Sequence, residues 1–419
     1  MSFTSSDIEK DDERDVDKDV HDAMGIRQAT LVDADSIFDL ERYAYDYTGD
    51  YVTQAKKNFE STFDEYYILE QNDRIAGAGR LTSFEQNIRG KWRKIGGLGA
   101  LATSPEIRRQ GHAREMMNYG FKLMHQNGFS TSMLYPFKDT FYSTFGYINC
   151  PPILSVSVNP IQLRGCRKPH GYDLQRVPLK EGLELFRKVH DQSAEKHHGA
   201  IRRSDRRWQE MISGNSDEIV VVFGRDGEPK GLMLYQHKGY SQFGDSKTVG
   251  TMLVREWYFL SCRARTALLN FIYLHADQII NASIPINPMT DDYYHWVQDR
   301  NVPTIRARRS YMARVIDVEQ AIEGIETPVE GEVCLHVLDK HCDWNHRGFR
   351  IYQDDSKLHV ERAEHIECET FVSVEGITAL LYGTAHIDTI ACFGWIDGPD
   401  LPLLSQWFPK TDMWMTEDF

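Results

Sequence analysis

From residue 26 onward, apolar and polar positions follow two periods in turn. Residues 26–30 alternate as a short strand, 33–47 repeat apolar side chains at Ile37, Leu40 and Ala44 with the spacing of an amphipathic helix, and 65–71 return to strand. Asn72-Asp73 marks a hairpin turn between 66–70 and 75–81, and Gly90 breaks the chain before a further strand over 94–103. A helix over 111–127, stopped by Gly128, leads to a short strand over 132–136. The same grammar returns more weakly later: a helix over 180–195, strands over 218–224 and 230–236 about the Asp226-Gly227 turn, a strand over 252–259 and a helix over 263–276. That repeated order predicts a duplication. The last hundred residues differ: a strand and short helix within 312–322, strands over 332–338, 348–353, 357–362 and 369–374, then a helix over 374–382, which reads as α+β.

Length and composition agree with several cores. The chain has 419 residues, 41% hydrophobic, 26% charged and 11% aromatic, more than one core usually organises and enough apolar material for three domains. The divisions fall at 25–165, 166–310 and 311–419, after an acidic tail over 1–24 whose nine acidic and three basic side chains cannot offset the entropy of ordering. Met24 offers an alternative start. No apolar run approaches the length of a membrane span, and the first residues lack the basic flank and apolar stretch of a signal peptide, so no membrane partner is expected. A formal charge of −14 argues against nucleic acid as a partner and favours small cations. The seven cysteines form no CxxC, are odd in number and lie scattered, which reads as reduced, cytoplasmic usage.

The chemistry concentrates where the strand ending at Thr103 runs into Arg108-Arg109-Gln110-Gly111-His112-Ala113 and then a helix. Backbone N–H groups at a helix amino terminus are unpaired and carry the positive end of its dipole, so they can receive a pyrophosphate. Gly111 and Ala113 keep the approach clear, and Arg108 and Arg109 add positive charge. An ordinary strand-to-helix turn could contain the same residues, but the preceding strand, a full-length helix and a following strand with a tyrosine-bearing segment select the anion-binding reading.

With these residues the sequence resembles the GNAT N-acetyltransferases, whose acyl-CoA loop has the form [RQ]-x-x-G-x-[GA], here Arg108 to Ala113. More narrowly it resembles the Eis (enhanced intracellular survival) family, through Leu98 to Met117 and LYPFKDTFYSTFGY over 134–147. The resemblance spans residues 25–419 and implies an α+β fold: tandem GNAT-like mixed-sheet domains followed by an α+β sterol-carrier-protein-like domain. It implies that acetyl-CoA lies along Leu101, Ala102 and Thr103, then against Arg109, Gln110, Gly111, His112, Ala113 and Arg114, with contacts at Phe137 and Lys138. It makes Tyr142 the general acid and the terminal carboxylate of Phe419 the proton acceptor, with Glu417 and Asp418 lending the pocket negative charge. The acceptor is then a small cationic amine of aminoglycoside, polyamine or lysine type, and the assembly a homo-oligomer, a hexamer in the family. A longer-chain acyl or aminoacyl transferase, and a CoA- or lipid-binding protein without turnover, are the rival readings.

His336, His341, Cys342 and His346 fit no compact ligand spacing, so no metal is expected. Arg202, Arg203, Arg206 and Arg207 lie at helical spacing amid acids and read as a solvated or interface face. Ser261 to Thr266 stands where a second phosphate loop would fall but lacks the glycine, so the second GNAT-like unit is expected to bind no CoA. The last domain either keeps a lipid tunnel or only delivers Phe419; the second is preferred.

Overall fold

The computed structural model describes residues 24–47, 53, 56, 59–212, 218–238, 250–287, 291–299, 303–308, 310–364 and 367–417. The acidic leader, Asp418 and Phe419 lie outside these residues. Two compact units emerge, one formed by the described residues up to Arg80 with Ala100–Met116, the other by Leu81–Gly99 with Met117 onward.

In the first unit β1 (Met24–Gln28) and β2 (Tyr66–Gln71) pair antiparallel, as do β2 and the opening of β3 (Arg74–Ile88). Asn72 and Asp73 take left-handed φ angles of 51° and 59°, which the tight hairpin requires. Helix α1 (Ala34–Tyr45) buries Ile37, Phe38 and Leu40 among Phe59, Tyr66, Ile68, Ala78 and Ala102, and Asp46 ends it in a left-handed cap. Strand β4 (Lys91–Thr103) reaches this unit at its end and leads, through a short turn at Pro105–Ile107, into helix α2 (His112–Gln126).

In the second unit, β4 pairs parallel to β5 (Thr131–Leu134) over 95–97, and helix α3 (Asp139–Ser143) and β6 (Ile148–Asn149) follow. A second sheet uses β7 (Leu154–Val158) and β8 (Asp173–Pro178). After α4 (Leu183–Ala194), β9 (Ile201–Arg202) and α5 (Asp205–Ile212) come β10 (Glu218–Phe223), β11 (Pro229–Lys238) and β12 (Thr251–Phe259). Helix α6 (Cys262–Tyr273), β13 (Asn281–Ile286) and β14 (Thr304–Ala307) complete it, in the order β14-β7-β13-β12-β11-β10-β8. The next strand, β15 (Met312–Val315), leaves that sheet and lies antiparallel between β5 and β6.

After α7 (Val318–Ile322), a third sheet takes the order β18-β17-β16-β19-β20, built from β16 (Glu332–Leu338), β17 (Gly348–Asp354), β18 (Lys357–Arg362), β19 (Thr370–Ser373) and β20 (Ile396–Asp397). Its helices are α8 (Val374–Tyr382), α9 (Ile387–Cys392) and α10 (Leu401–Trp407). Three sheets of mixed strand direction with covering helices bear out the α+β expectation. No described helix is long and apolar enough to cross a membrane.

Two expectations need correction. The cysteines are not all reduced: Cys334 on β16 and Cys368 just before β19 are joined by a disulfide, their Cα atoms 4.9 Å apart. A parallel strand pairing brings them together, which scattered spacing in sequence does not reveal. One member of the arginine run leaves the solvated or interface face expected for it: Arg203 is buried with two acids, Glu256 and Glu417, for partners, while Arg202, Arg206 and Arg207 stay part-exposed.

Candidate active site

The loop before α2 has an unusual backbone. Ala100 takes a left-handed φ of 51°, kinking β4 ahead of Leu101, Ala102 and Thr103. Leu101 is half-buried and its carbonyl accepts the Tyr45 hydroxyl at 2.8 Å; Ala102 faces the core. Arg108 is extended and exposed, its Nε on the Thr103 carbonyl at 3.3 Å. Arg109 and Gly111 then take positive φ, 64° and 94°, a backbone turn of the kind that forms anion-binding concavities. A Cβ at Gly111 would meet no protein atom within 4 Å, so the glycine serves the backbone angle and leaves an open face where a ligand would sit. Arg109, Gln110 and Arg114 are exposed, Ala113 is half-buried, and His112 is buried with Nδ1 3.3 Å from Glu115 and Nε2 unpartnered. These residues fit a CoA pyrophosphate: an open backbone cradle, exposed guanidiniums and a helix amino terminus.

In the second unit, Tyr142 is buried among aromatic edges, with Phe141 at 5.0 Å, Phe137 at 5.6 Å and Tyr147 at 6.1 Å between ring centroids. Phe137 is 61% exposed, an apolar shelf beside Tyr142, and exposed Lys138 caps the helix that carries it. The turn after that helix is clamped on three sides. Tyr147 bonds Ser132 at 2.7 Å, His341 Nε2 donates to the Thr144 carbonyl at 3.0 Å, and Arg314 Nε donates to the Phe145 carbonyl at 2.6 Å. Gly146, at φ 79°, admits no side chain, because a Cβ would lie 2.4 Å from Val374. Arg314 is itself fully buried, paired with buried Asp339 at 2.6 Å and stacked 4.2 Å from the Phe121 ring. Burial works against its charge, but Cys342 and Asp339 hold its pKa above the ordinary arginine range. Nothing local in the sequence marks this pair as the support of the Tyr142 turn.

The segment that leads to Phe419 is pinned along its described length. Trp414 N donates to the His198 carbonyl at 2.8 Å, Thr416 and Tyr258 hydroxyls meet at 2.8 Å, and Met415 is buried. Tyr135, between β5 and α3, donates to the Glu417 carbonyl at 2.9 Å. The Glu417 side chain, expected to charge the pocket, instead turns into Arg203 and Arg207. Burial would raise its pKa, but the two guanidiniums hold it below the usual carboxylate range. A cavity of about 350 Å³ backs the segment, lined by Pro151, Ile286, Tyr311, Met413 and Trp414 among others.

Comparison with known proteins decides the family. Residues 25–149 match an acetyltransferase (GNAT) domain, 199–315 a second acetyltransferase (GNAT) domain, and 318–416 a sterol carrier protein domain. The chain belongs to the GNAT acetyltransferases. GNAT domains use acetyl-CoA as their acetyl donor. An uncharacterized N-acetyltransferase of Streptomyces avermitilis is 23% identical over 269 residues; the match spans 62% of this GNAT chain and 64%, less than two thirds, of that relative. The fold is that of a GCN5-related N-acetyltransferase from Anabaena variabilis, with a TM-score of 0.82 at 18% identity over 94% of this chain and 100% of that one. It is equally that of Eis1 from Mycobacterium abscessus, with a TM-score of 0.74 at 16% identity over 94% and 100%.

The second GNAT domain opens its helix α6 differently. Ser261 is extended and its side chain accepts the Ala264 N–H, and Arg265 pairs at 3.0 Å with buried Asp291 between the Phe259 and Trp296 rings. Three of the histidine and cysteine side chains over 336–346 have partners of their own. His341 bonds Asn118 and Thr144, Cys342 accepts from Arg314, and His346 accepts the Asp339 N–H.

Proposed function

We propose that the chain transfers the acetyl group of acetyl-CoA directly to a primary amine of a small polycation, an aminoglycoside or polyamine, or of a lysine side chain. The observation that carries this is the loop at Arg109 and Gly111, an open, positively charged backbone cradle at the head of α2. Acetyl-CoA supplies the activated acetyl thioester. In this reading Arg109, Gly111, Ala113 and Arg114 receive its pyrophosphate, and the edge of Leu101, Ala102 and Thr103 binds the amide-bearing arm as an added strand would.

The amine nitrogen attacks the thioester carbon, the carbon–sulfur bond breaks, and the sulfur leaves with the electron pair. Tyr142 gives its phenolic proton to that sulfur; an ordinary phenol, near 10, keeps its proton at neutral pH and can donate it. Its burial supports the role, because a proton given inside a dry, fixed environment needs little reorganisation. The proton lost by the new ammonium passes to the Phe419 carboxylate, a role supported by the pinned course of 414–417. Assembly as a hexamer belongs to the same reading by family resemblance, and sedimentation measures it.

Thiol release followed with a panel of amines tests the proposal. Acceptor-dependent release is expected for the wild type, with kcat falling about 100-fold in Tyr142→Phe and again when one alanine is appended after Phe419. No acceptor-dependent release, or full activity in both variants together, overturns it.

A further inference from the structure

We propose that Arg203 and Glu417 form a latch that sets the last residues of the chain for catalysis, with Arg203 a positioning residue acting through Glu417. The inference rests on the reading of Phe419 given above.

Glu417 has both carboxylate oxygens taken: Oε2 by Arg203 Nε at 2.6 Å, and Oε1 by Arg207 Nη2 at 2.9 Å and Nε at 3.2 Å. A carboxylate gripped through both oxygens by two planar guanidiniums has its direction as well as its place fixed. Arg203 is braced in turn. Its Nη2 lies 2.7 Å from Glu256, and its guanidinium faces Trp208 at 4.9 Å and Phe186 at 5.8 Å. Burial opposes its charge, but Glu256, Tyr258 and Glu417 keep it protonated.

Exposed ion pairs seldom hold a chain in one conformation, but this one is nearly sealed, with side chains 4% and 7% exposed. Such burial is costly unless each charge is fully answered, and here each is. Three donors on a buried carboxylate leave Glu417 little capacity for an ammonium ion, and orientation is the role that fits it. The backbone completes the argument: the Glu417 carbonyl is tied to Tyr135, in the stretch that continues to Phe137 and Tyr142. One residue, Asp418, separates this fixed point from Phe419. Two residues of extended chain span about 7 Å, so fixing Glu417 confines the following carboxylate to a small volume.

The test uses the full chain and compares wild type, Glu417→Gln, Arg203→Met and Arg203→Lys in steady-state kinetics and in amide hydrogen exchange read by mass spectrometry. Glu417→Gln and Arg203→Met are expected to lower kcat at least 10-fold, to leave the KM for acetyl-CoA within twofold, and to speed exchange over residues 413–417. Arg203→Lys recovers part of kcat. A merely structural role would shift the melting point without this split between kcat and KM. If Arg203→Met does not fold, Glu417→Gln carries the test, since it changes a single oxygen to an amide.

Wild-type kcat in Glu417→Gln, or exchange over 413–417 no faster than in the wild type, overturns the latch and leaves the acetyltransferase reading standing. No acceptor-dependent turnover by the wild type overturns that reading, and the latch with it.

Discussion

The two GNAT domains open corresponding helices, α2 and α6, in opposite ways. At α2 the backbone turns left-handed twice, at Arg109 and Gly111, and the arginine side chains around it stay in solvent. At α6 an extended Ser261 folds its own hydroxyl onto the helix, and Arg265 is spent on Asp291. Ser261 caps its own helix, whereas at α2 the turn is made by left-handed backbone with Arg108 and Arg109 exposed beside it. The buried acids differ in the same sense. Asp291 has its arginine, whereas Glu41 on α1 is 2% exposed with one oxygen unpartnered, and burial raises its pKa to about 7. Burial pushes both acids toward the neutral form, Glu41 with the Arg80 charge nearby and Asp291 with Arg265 bonded to it.

The strongest way to break this contrast is Gly111→Val. A β-branched side chain cannot take φ 94° without strain, and its bulk would fill the open face of the cradle. Calorimetry should show acetyl-CoA binding weakened about 100-fold, an effect of about 2.7 kcal/mol. Affinity within threefold of wild type would mean the cradle is not the site.

Glu41→Gln comes next and sharpens the comparison of acids. With its folded pKa near 7 and its ordinary value 4.5, Glu41 stays protonated in the folded chain over a window where the unfolded chain has released the proton. Stability therefore falls as pH rises from about 4.5 to about 7 and stays at the lower level above it. Removing the charge should raise stability by about 2 kcal/mol at pH 8 and leave it unchanged at pH 4, as denaturant melts at the two pH values would report. Equal shifts at both would refute the assignment. The smallest effect belongs to Ser261→Ala, which should cost about 1 kcal/mol in the same melts and leave acetyl-CoA affinity where it was.

Local features of the fold were legible in the residues because local chemistry forces them. Asn72-Asp73 made its hairpin, Gly128 took a positive φ after α2, and the strand at Glu332–Leu338 and helix at Val374–Tyr382 fall where alternation and apolar spacing put them. The strands at β7, β13 and β14 went unread, since half-buried runs such as Leu154–Val158 are short and bounded by prolines that look like loop. Of the site, the loop at Arg108 to Ala113 was legible because its glycine and arginines are contiguous. Arg314, Asp339, Arg203 and Glu417 were not. Their partners lie 25 and 214 residues apart, and a lone arginine in sequence looks the same whether it ends in water or against a buried acid.

Strand β15 carries a consequence for how the polypeptide comes to be folded at all. It is made after the whole second GNAT domain, yet it fills the gap between β5 and β6. During synthesis that seam stays open while some 160 residues, from Asn149 to Met312, emerge, and its exposed edges have only the nascent chain or a chaperone to cover them. A cut between the two GNAT domains would therefore leave the sheet of β5 and β6 without its middle strand.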